Sequence, residues 1–229
     1  MNEHLDLKTI VLLGRMFEEY YKMFALDNDI LENEIILDVA SGVSSFCAEA
    51  NSKGVNVTAS DKIYNLSSDE IETKCRDDLD SVIKQMPSIS DHYVWDFFKD
   101  VWSLKAFRVK AYKLFLEDFK KSGIKRYKPV EYPVTDFEEN EFTLSLVSHF
   151  LFLYDDHLDY DFHKKTILEL LRISSKEIRI FPIVNLKGDK SRYIEPLIKD
   201  EYLRSLQISI KKASYEFMKN ANEMMIIRK

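Results

Sequence analysis

Cysteine, glycine and proline are all scarce in this chain: two, five and five among 229 residues. Cys47 and Cys75 are too few for a disulfide framework or a four-cysteine zinc site, so they read as reduced core thiols. Few glycines and prolines mean few interruptions, and the loops should be short. Apolar runs such as residues 9–14 and 150–154 fall far short of the ~20 residues of a membrane span. The first eight residues lack the basic start of a secretory signal, and the expected location is the cytoplasm. There is no internal repeat and no low-complexity tract. Nor is there a basic excess: 33 Lys and Arg stand against 39 Asp and Glu, a net charge of −6. Such a chain is not built for bulk attraction to phosphate backbones. With 45% hydrophobic and 31% charged residues, disordered and fibrous classes are excluded. A chain of 229 residues is long enough for a sizeable core, and folding should bury about 70% of its surface.

The expected organisation is a single domain over residues 1–229. A helix lies within residues 1–30, where Leu12, Met16, Tyr20 and Met23 recur at helical spacing. Residues 35–39 are a short apolar strand broken by Ala40-Ser-Gly42. A helix from Ser44 to Lys53 is stopped by Gly54, and a β-branched strand over 55–59 ends at Asp61. Strand, turn, helix and strand make one right-handed βαβ unit and imply a parallel sheet. Residues 67–122 read as a long helical insert, with Ser68 as cap and a second helical run from Val94 to Lys121. Strands are expected at 127–131, 142–148 and 177–181, and helices at 157–173 and 193–203. The last two strands, 207–212 and 223–228, are joined by about ten residues, which admits only an antiparallel hairpin. The fold class is therefore α/β: a doubly wound, seven-stranded sheet with a C-terminal antiparallel hairpin and a helical insert.

The chemistry is expected at the first turn, because ligands of open α/β sheets sit outside the carboxyl ends of the strands. There the N-terminus of the next helix offers free N–H groups to an anionic ligand end. Asp61 follows Gly42 by 19 residues at the end of the second strand, the offset of a carboxylate that grips ribose hydroxyls. The residues point to a nucleoside-containing ligand. With one glycine in the turn, a pyrophosphate is disfavoured.

Residues 36–46, Ile-Leu-Asp-Val-Ala-Ser-Gly-Val-Ser-Ser-Phe, followed by Val57-Thr-Ala-Ser-Asp61, resemble the first two motifs of class I S-adenosylmethionine-dependent methyltransferases. Residues 142–154 resemble their fourth-strand motif and residues 177–182 their fifth strand. The resemblance covers nearly the whole chain and is nearest to a bacterial subgroup of unassigned substrate. It implies a Rossmann-like sheet and S-adenosylmethionine as cofactor. Asp38, Ala40, Ser41 and Gly42 would surround the methionine end, Asp61 would bind the ribose, and Ile63 would flank the adenine. Ser148 and His149 would face the reactive methyl. Two motif glycines are replaced, by Ala40 and Ser44, and a left-handed backbone at either would be costly for a non-glycine residue.

Methyl transfer from a sulfonium is an in-line displacement that needs positioning and a dry cavity. No metal is expected; Asp155, Asp156, His157, Asp159, Asp161 and His163 read as caps and dipole partners near a helix start. His149 is the candidate general base for an acceptor that carries a proton. The helical insert leaves the second strand beside the cofactor and would cap the pocket, with residues 92–98 and Trp102 as aromatic lining. Residues 105–128 hold nine basic and two acidic residues. A solvated lysine face on an amphipathic helix accounts for them, and an RNA-binding surface is the competing reading. The expected acceptor is a small molecule, with nucleic acid a lesser alternative and no membrane partner. A non-catalytic binding or regulatory protein on the same fold is the alternative from another class.

Overall fold

The inner strands are apolar along nearly their whole length, as strands covered on both faces must be. The computed structural model describes Leu5 and residues 10–229. β1 (Ile36–Val39) is buried throughout and β4 (Phe142–Ser148) nearly so. With β2 (Val57–Ser60), β3 (Tyr127–Lys128), β5 (Ser174–Phe181), β6 (Gln207–Lys212) and β7 (Glu223–Arg228) they form one sheet of order β3-β2-β1-β4-β5-β7-β6. β3, β2, β1, β4 and β5 are parallel, while β7 runs antiparallel to both β5 and β6. The order reverses between β1 and β4. This is the expected doubly wound α/β sheet with its terminal hairpin.

The α-helices among the described residues are α1 (Phe17–Met23), α2 (Asn28–Asn33), α3 (Phe46–Ser52), α4 (Ser68–Gln85), α5 (Val101–Ser122), α6 (Tyr160–Ile173) and α7 (Ile194–Lys199). Alternate strand residues feed two cores. Ile36, Leu144, Leu146 and Ile226 pack with Tyr20, Phe46, Ile71 and Phe115 of α1, α3, α4 and α5. Leu37, Val147, Met225 and Ile227 pack with Ile167, Leu170, Ile194 and Leu197 of α6 and α7. The period of two along each strand therefore sorts the helices onto opposite faces. No helix among the described residues is long and apolar enough to cross a membrane. Cys47 and Cys75 are free and buried, and burial pushes the Cys75 thiol up to about 12.

Several boundaries depart from the sequence expectation. Residues 10–30 do not form a single helix: residues 10–16 have no regular secondary structure, and α1 and α2 are separate. Residues 1–4 and 6–9 of the expected helix lie outside the described residues. The backbone N–H groups of residues 11 and 12 are taken by tertiary acceptors, the Tyr154 hydroxyl at 3.5 Å and Asp78 at 2.7 Å, and that of residue 16 by Glu19 in the N-terminal box of α1, so none is available to an earlier helical ladder. Ala25, at φ 47°, ends α1, and Asp27 caps α2 by accepting the Ile30 N–H. In the insert, Ser67 and not Ser68 caps α4, in a reciprocal box with Glu70. The run expected from Val94 starts only at Val101, where Asp100 accepts the Ser103 N–H at 2.7 Å. Val94 instead donates its N–H to Phe217 O, binding the insert to the hairpin loop. β3 has two residues where five were expected, although Val130 just beyond it still donates its N–H to Asp61 O at 3.3 Å.

Candidate active site

The turn after β1 is left-handed twice: Ala40 has φ 48° and Gly42 φ 56°. Glycine adopts this conformation freely, whereas an alanine costs about 1 kcal/mol or more there. The surroundings fix it. Ser41 donates its N–H to Ser60 O on β2 at 3.0 Å. Tyr64 donates its hydroxyl to Gly42 O at 2.8 Å, and the Ser41 hydroxyl lies 2.6 Å from the same phenol oxygen. Asp61 ties the turn to the end of β2: Oδ2 accepts the Gly42 N–H at 2.9 Å and Oδ1 the Ile63 N–H at 3.0 Å. Each oxygen keeps a lone pair for a further donor. Burial pushes this carboxyl above the usual range, against the pull of the two amides.

A cavity of about 410 Å³ opens here, lined by Ala40, Ser41, Gly42, Asp61, Ile63, Ser148 and His149 among others. Ala40 and Ser44 both lie on its wall and leave it open; Ser44 turns its hydroxyl to Arg15 O at 2.7 Å. Asp38 differs from the other expected site residues. It is fully buried, and Tyr20 of α1 stands on the cavity wall in its place. Tyr20 donates to Asp38 Oδ1 at 2.9 Å, while Oδ2 has no partner among the described residues. Burial, with the Asp61 charge nearby, holds the Asp38 carboxyl well above its ordinary value.

His149 follows β4 in a left-handed conformation, φ 51°, fixed by its N–H bond to Phe181 O at 2.7 Å. Its Nδ1 lies 3.0 Å from Ser148 Oγ. Burial, and then the charges of Arg15 and Arg108, hold the imidazole well below 6.5. It is neutral at pH 7.

A second, apolar cavity of about 80 Å³ adjoins the first, and Leu13, Arg15 and His149 line both. Leu79, Val82 and Met86 at α4 and Leu104 and Arg108 of α5 supply one side; Tyr215, Phe217 and Met218 of the hairpin loop supply another. The insert thus lines the cavity mainly with aliphatic residues. Of the expected aromatic lining, Tyr93 alone is on the wall. Trp102 is 74% exposed, and Phe97 and Phe98 stack edge-on with Phe107 and their neighbours.

Beside the second cavity, whose wall includes Arg108, lies a buried ion pair that the motifs did not indicate. Glu19 of α1 takes both Arg108 nitrogens, at 2.7 and 2.8 Å, and also the Tyr215 hydroxyl at 2.8 Å. The sequence did hold a signal. Arg108 falls between Leu104 and Ala111 on the apolar face of its helix, and Glu19 between Met16 and Met23 on theirs. A charge on an apolar stripe needs a buried partner.

The acidic cluster is spread out. Asp159 caps α6, Asp156 pairs with Lys187 and Arg192, and Asp161 with Lys165. Among the described residues no three or more of His, Cys, Asp and Glu are grouped as metal ligands.

No family model matches the chain. The chain is 53% identical over 227 residues to the uncharacterized protein MJ0045 of Methanocaldococcus jannaschii, across 99% of each. Similar solved structures include a SAM-dependent methyltransferase from Methanosarcina mazei, with 14% identity, a TM-score of 0.44, and 86% of this chain and 93% of that one covered. Another is magnesium protoporphyrin IX methyltransferase from Synechocystis PCC 6803 with bound SAH, at 10% identity, TM-score 0.43, and coverage of 87% and 75%. The relative is archaeal and gives no support to a bacterial subgroup.

Proposed function

The chain belongs to the same family as the uncharacterized archaeal protein MJ0045, and within that family we propose that it is an S-adenosylmethionine-dependent methyltransferase acting on a small-molecule acceptor. The observation that carries this reading is the junction of two cavities at the carboxyl ends of β1 and β4, one polar and one apolar, with His149 on both walls. The first cavity fits the cofactor by its donor set. Asp61 has lone pairs left for ribose hydroxyls, and Ile63 offers an apolar edge to the adenine. The turn at Ala40, Ser41 and Gly42 sits where the methionine end belongs, over the unpartnered oxygen of Asp38. When bound there, the cofactor supplies an electrophilic methyl on a sulfonium.

The chain's own residues then exclude water and move a proton. Tyr20 gives its proton to Asp38, so its oxygen is free to accept from the hydroxyl of Ser148, that of Ser44 being given to Arg15 O. A Ser148 that donates to Tyr20 accepts from His149 Nδ1–H, which leaves Nε2 with a free lone pair. Neutral His149 then takes the proton from an acceptor O–H or N–H as that atom is methylated.

A small molecule fits this geometry better than RNA. Lys110, Lys113 and Lys120 are exposed on the side of α5 opposite the face that lines the second cavity. Calorimetry with S-adenosylhomocysteine tests the proposal: micromolar binding is expected, weakened at least tenfold by Asp61→Ala. A folded wild type that does not bind would overturn the enzyme reading in favour of a binding protein on this fold.

A further inference from the structure

We propose that the second cavity seats the methyl acceptor, and that this acceptor is a small molecule with an apolar body and one carboxylate, held by Arg15 with its anionic end toward the first cavity. The inference rests on the methyltransferase reading for the word acceptor; the ligand chemistry follows from the cavity alone.

Two guanidinium groups line this cavity, and they are not equivalent. Arg108 is fully engaged, by both Glu19 oxygens and by Gly14 O at 3.0 Å. Arg15 spends one nitrogen on Leu13 O at 2.9 Å, while its Nε is shielded from solvent and has no partner among the described residues. Charge leads to the same place. Arg15 and Arg108 carry two positive charges, and among the described residues Glu19 is the one carboxylate that accepts from either. The groups around them are neutral: Tyr20 and Tyr215 are pushed above the usual phenol range by burial, and His149 is held below the usual imidazole range. Arginine does not escape by losing its proton, even where burial lowers its pKa. One buried positive charge is therefore left without a counter-ion among the described residues, on the wall that the two cavities share.

A carboxylate answers both deficits, since it accepts from guanidinium N–H groups in its own plane. Elsewhere the wall is apolar. Leu79, Val82, Met86, Tyr93, Leu153 and Phe217 form it. A dianion or a strongly polar body would leave groups unpaired against these side chains. The methionine carboxylate of the cofactor is the other source of the same chemistry, because Arg15 also lines the first cavity.

The test is calorimetry on the full chain with octanoate, octanamide and octylamine, each with and without saturating S-adenosylhomocysteine. Wild type should bind octanoate at least tenfold more tightly than octanamide, and octylamine not measurably. Arg15→Gln should remove the preference for octanoate and leave the affinity for S-adenosylhomocysteine within twofold. Arg15→Lys, which keeps the charge, should retain part of the preference. Wild type that binds octanamide as well as octanoate, or binds neither, overturns the proposal without reference to any variant. Loss of S-adenosylhomocysteine binding in Arg15→Gln, with the octanoate preference intact, also overturns it and assigns Arg15 to the cofactor. Absence of S-adenosylhomocysteine binding alongside a clear octanoate preference overturns the methyltransferase reading and leaves the anion site standing.

Discussion

His149 and Ala40 both adopt left-handed backbone conformations that are uncommon for residues with side chains, and both are on the wall of the first cavity. Their consequences differ. In His149→Gln the proposed base is gone, and kcat should fall by about 10²–10⁴-fold. A stability measurement checks its protonation without any acceptor. The unfolded chain takes up a proton at this histidine near 6.5, whereas the folded chain holds the ring neutral to well below that value. Between the two values the unfolded state binds more protons, so acidification below 6.5 costs the wild type up to about 1.4 kcal/mol per pH unit at this site. Urea denaturation from pH 7 to 5 should therefore show a shallower loss in His149→Gln than in wild type; parallel curves would mean the ring is not held neutral. For Ala40→Gly the expectation is the reverse of the usual cost of glycine. Relief at φ 48° should stabilise the protein by about 1 kcal/mol in urea denaturation, with binding of S-adenosylhomocysteine retained.

At the scale of elements, α1 and α5 are joined by the Glu19–Arg108 pair, and the segment before α1 is tied down beside it. Gly14 lets that segment pass against the first turn: a Cβ at this position would lie 2.1 Å from Val43 O. Ser44 and Ser45 hold Arg15 O from the other side. Breaking the pair leaves buried cations uncompensated. Glu19→Gln should destabilise the fold by about 3–5 kcal/mol, read by chemical denaturation. Replacing both partners with apolar residues should cost less than the two single changes combined. Additive costs would mean that the pair is not a unit. The sequence marked both helices by their apolar spacing. It could not show that the two out-of-place charges meet, because that depends on how α5 crosses α1, at a separation of 89 residues.

At the scale of the whole molecule, local pattern determined most of the architecture. Apolar strands of four to eight residues, the stop at Gly54 and the short link between residues 212 and 223 led to a doubly wound sheet ending in a hairpin. These signals are local because side-chain period and connection length are local properties. The sequence also placed Gly42, Asp61 and His149 at strand ends, since a switch-point site lies where parallel strands stop. Tertiary structure decided the rest. The segment over residues 10–16 has helical spacing, yet Tyr154 and Asp78, distant in sequence, capture the N–H groups of residues 11 and 12 and keep it out of a helix. Trp102 was expected on a cavity wall and is exposed, because α5 turns Leu104 and Arg108 inward. The cavity beside His149 is assembled from α4, α5, the first segment and the hairpin loop, so no one stretch of sequence carries its outline. Residue type fixed the chemistry that each position can offer, and packing over long sequence separations fixed which of those groups meet and which charge is left unpaired.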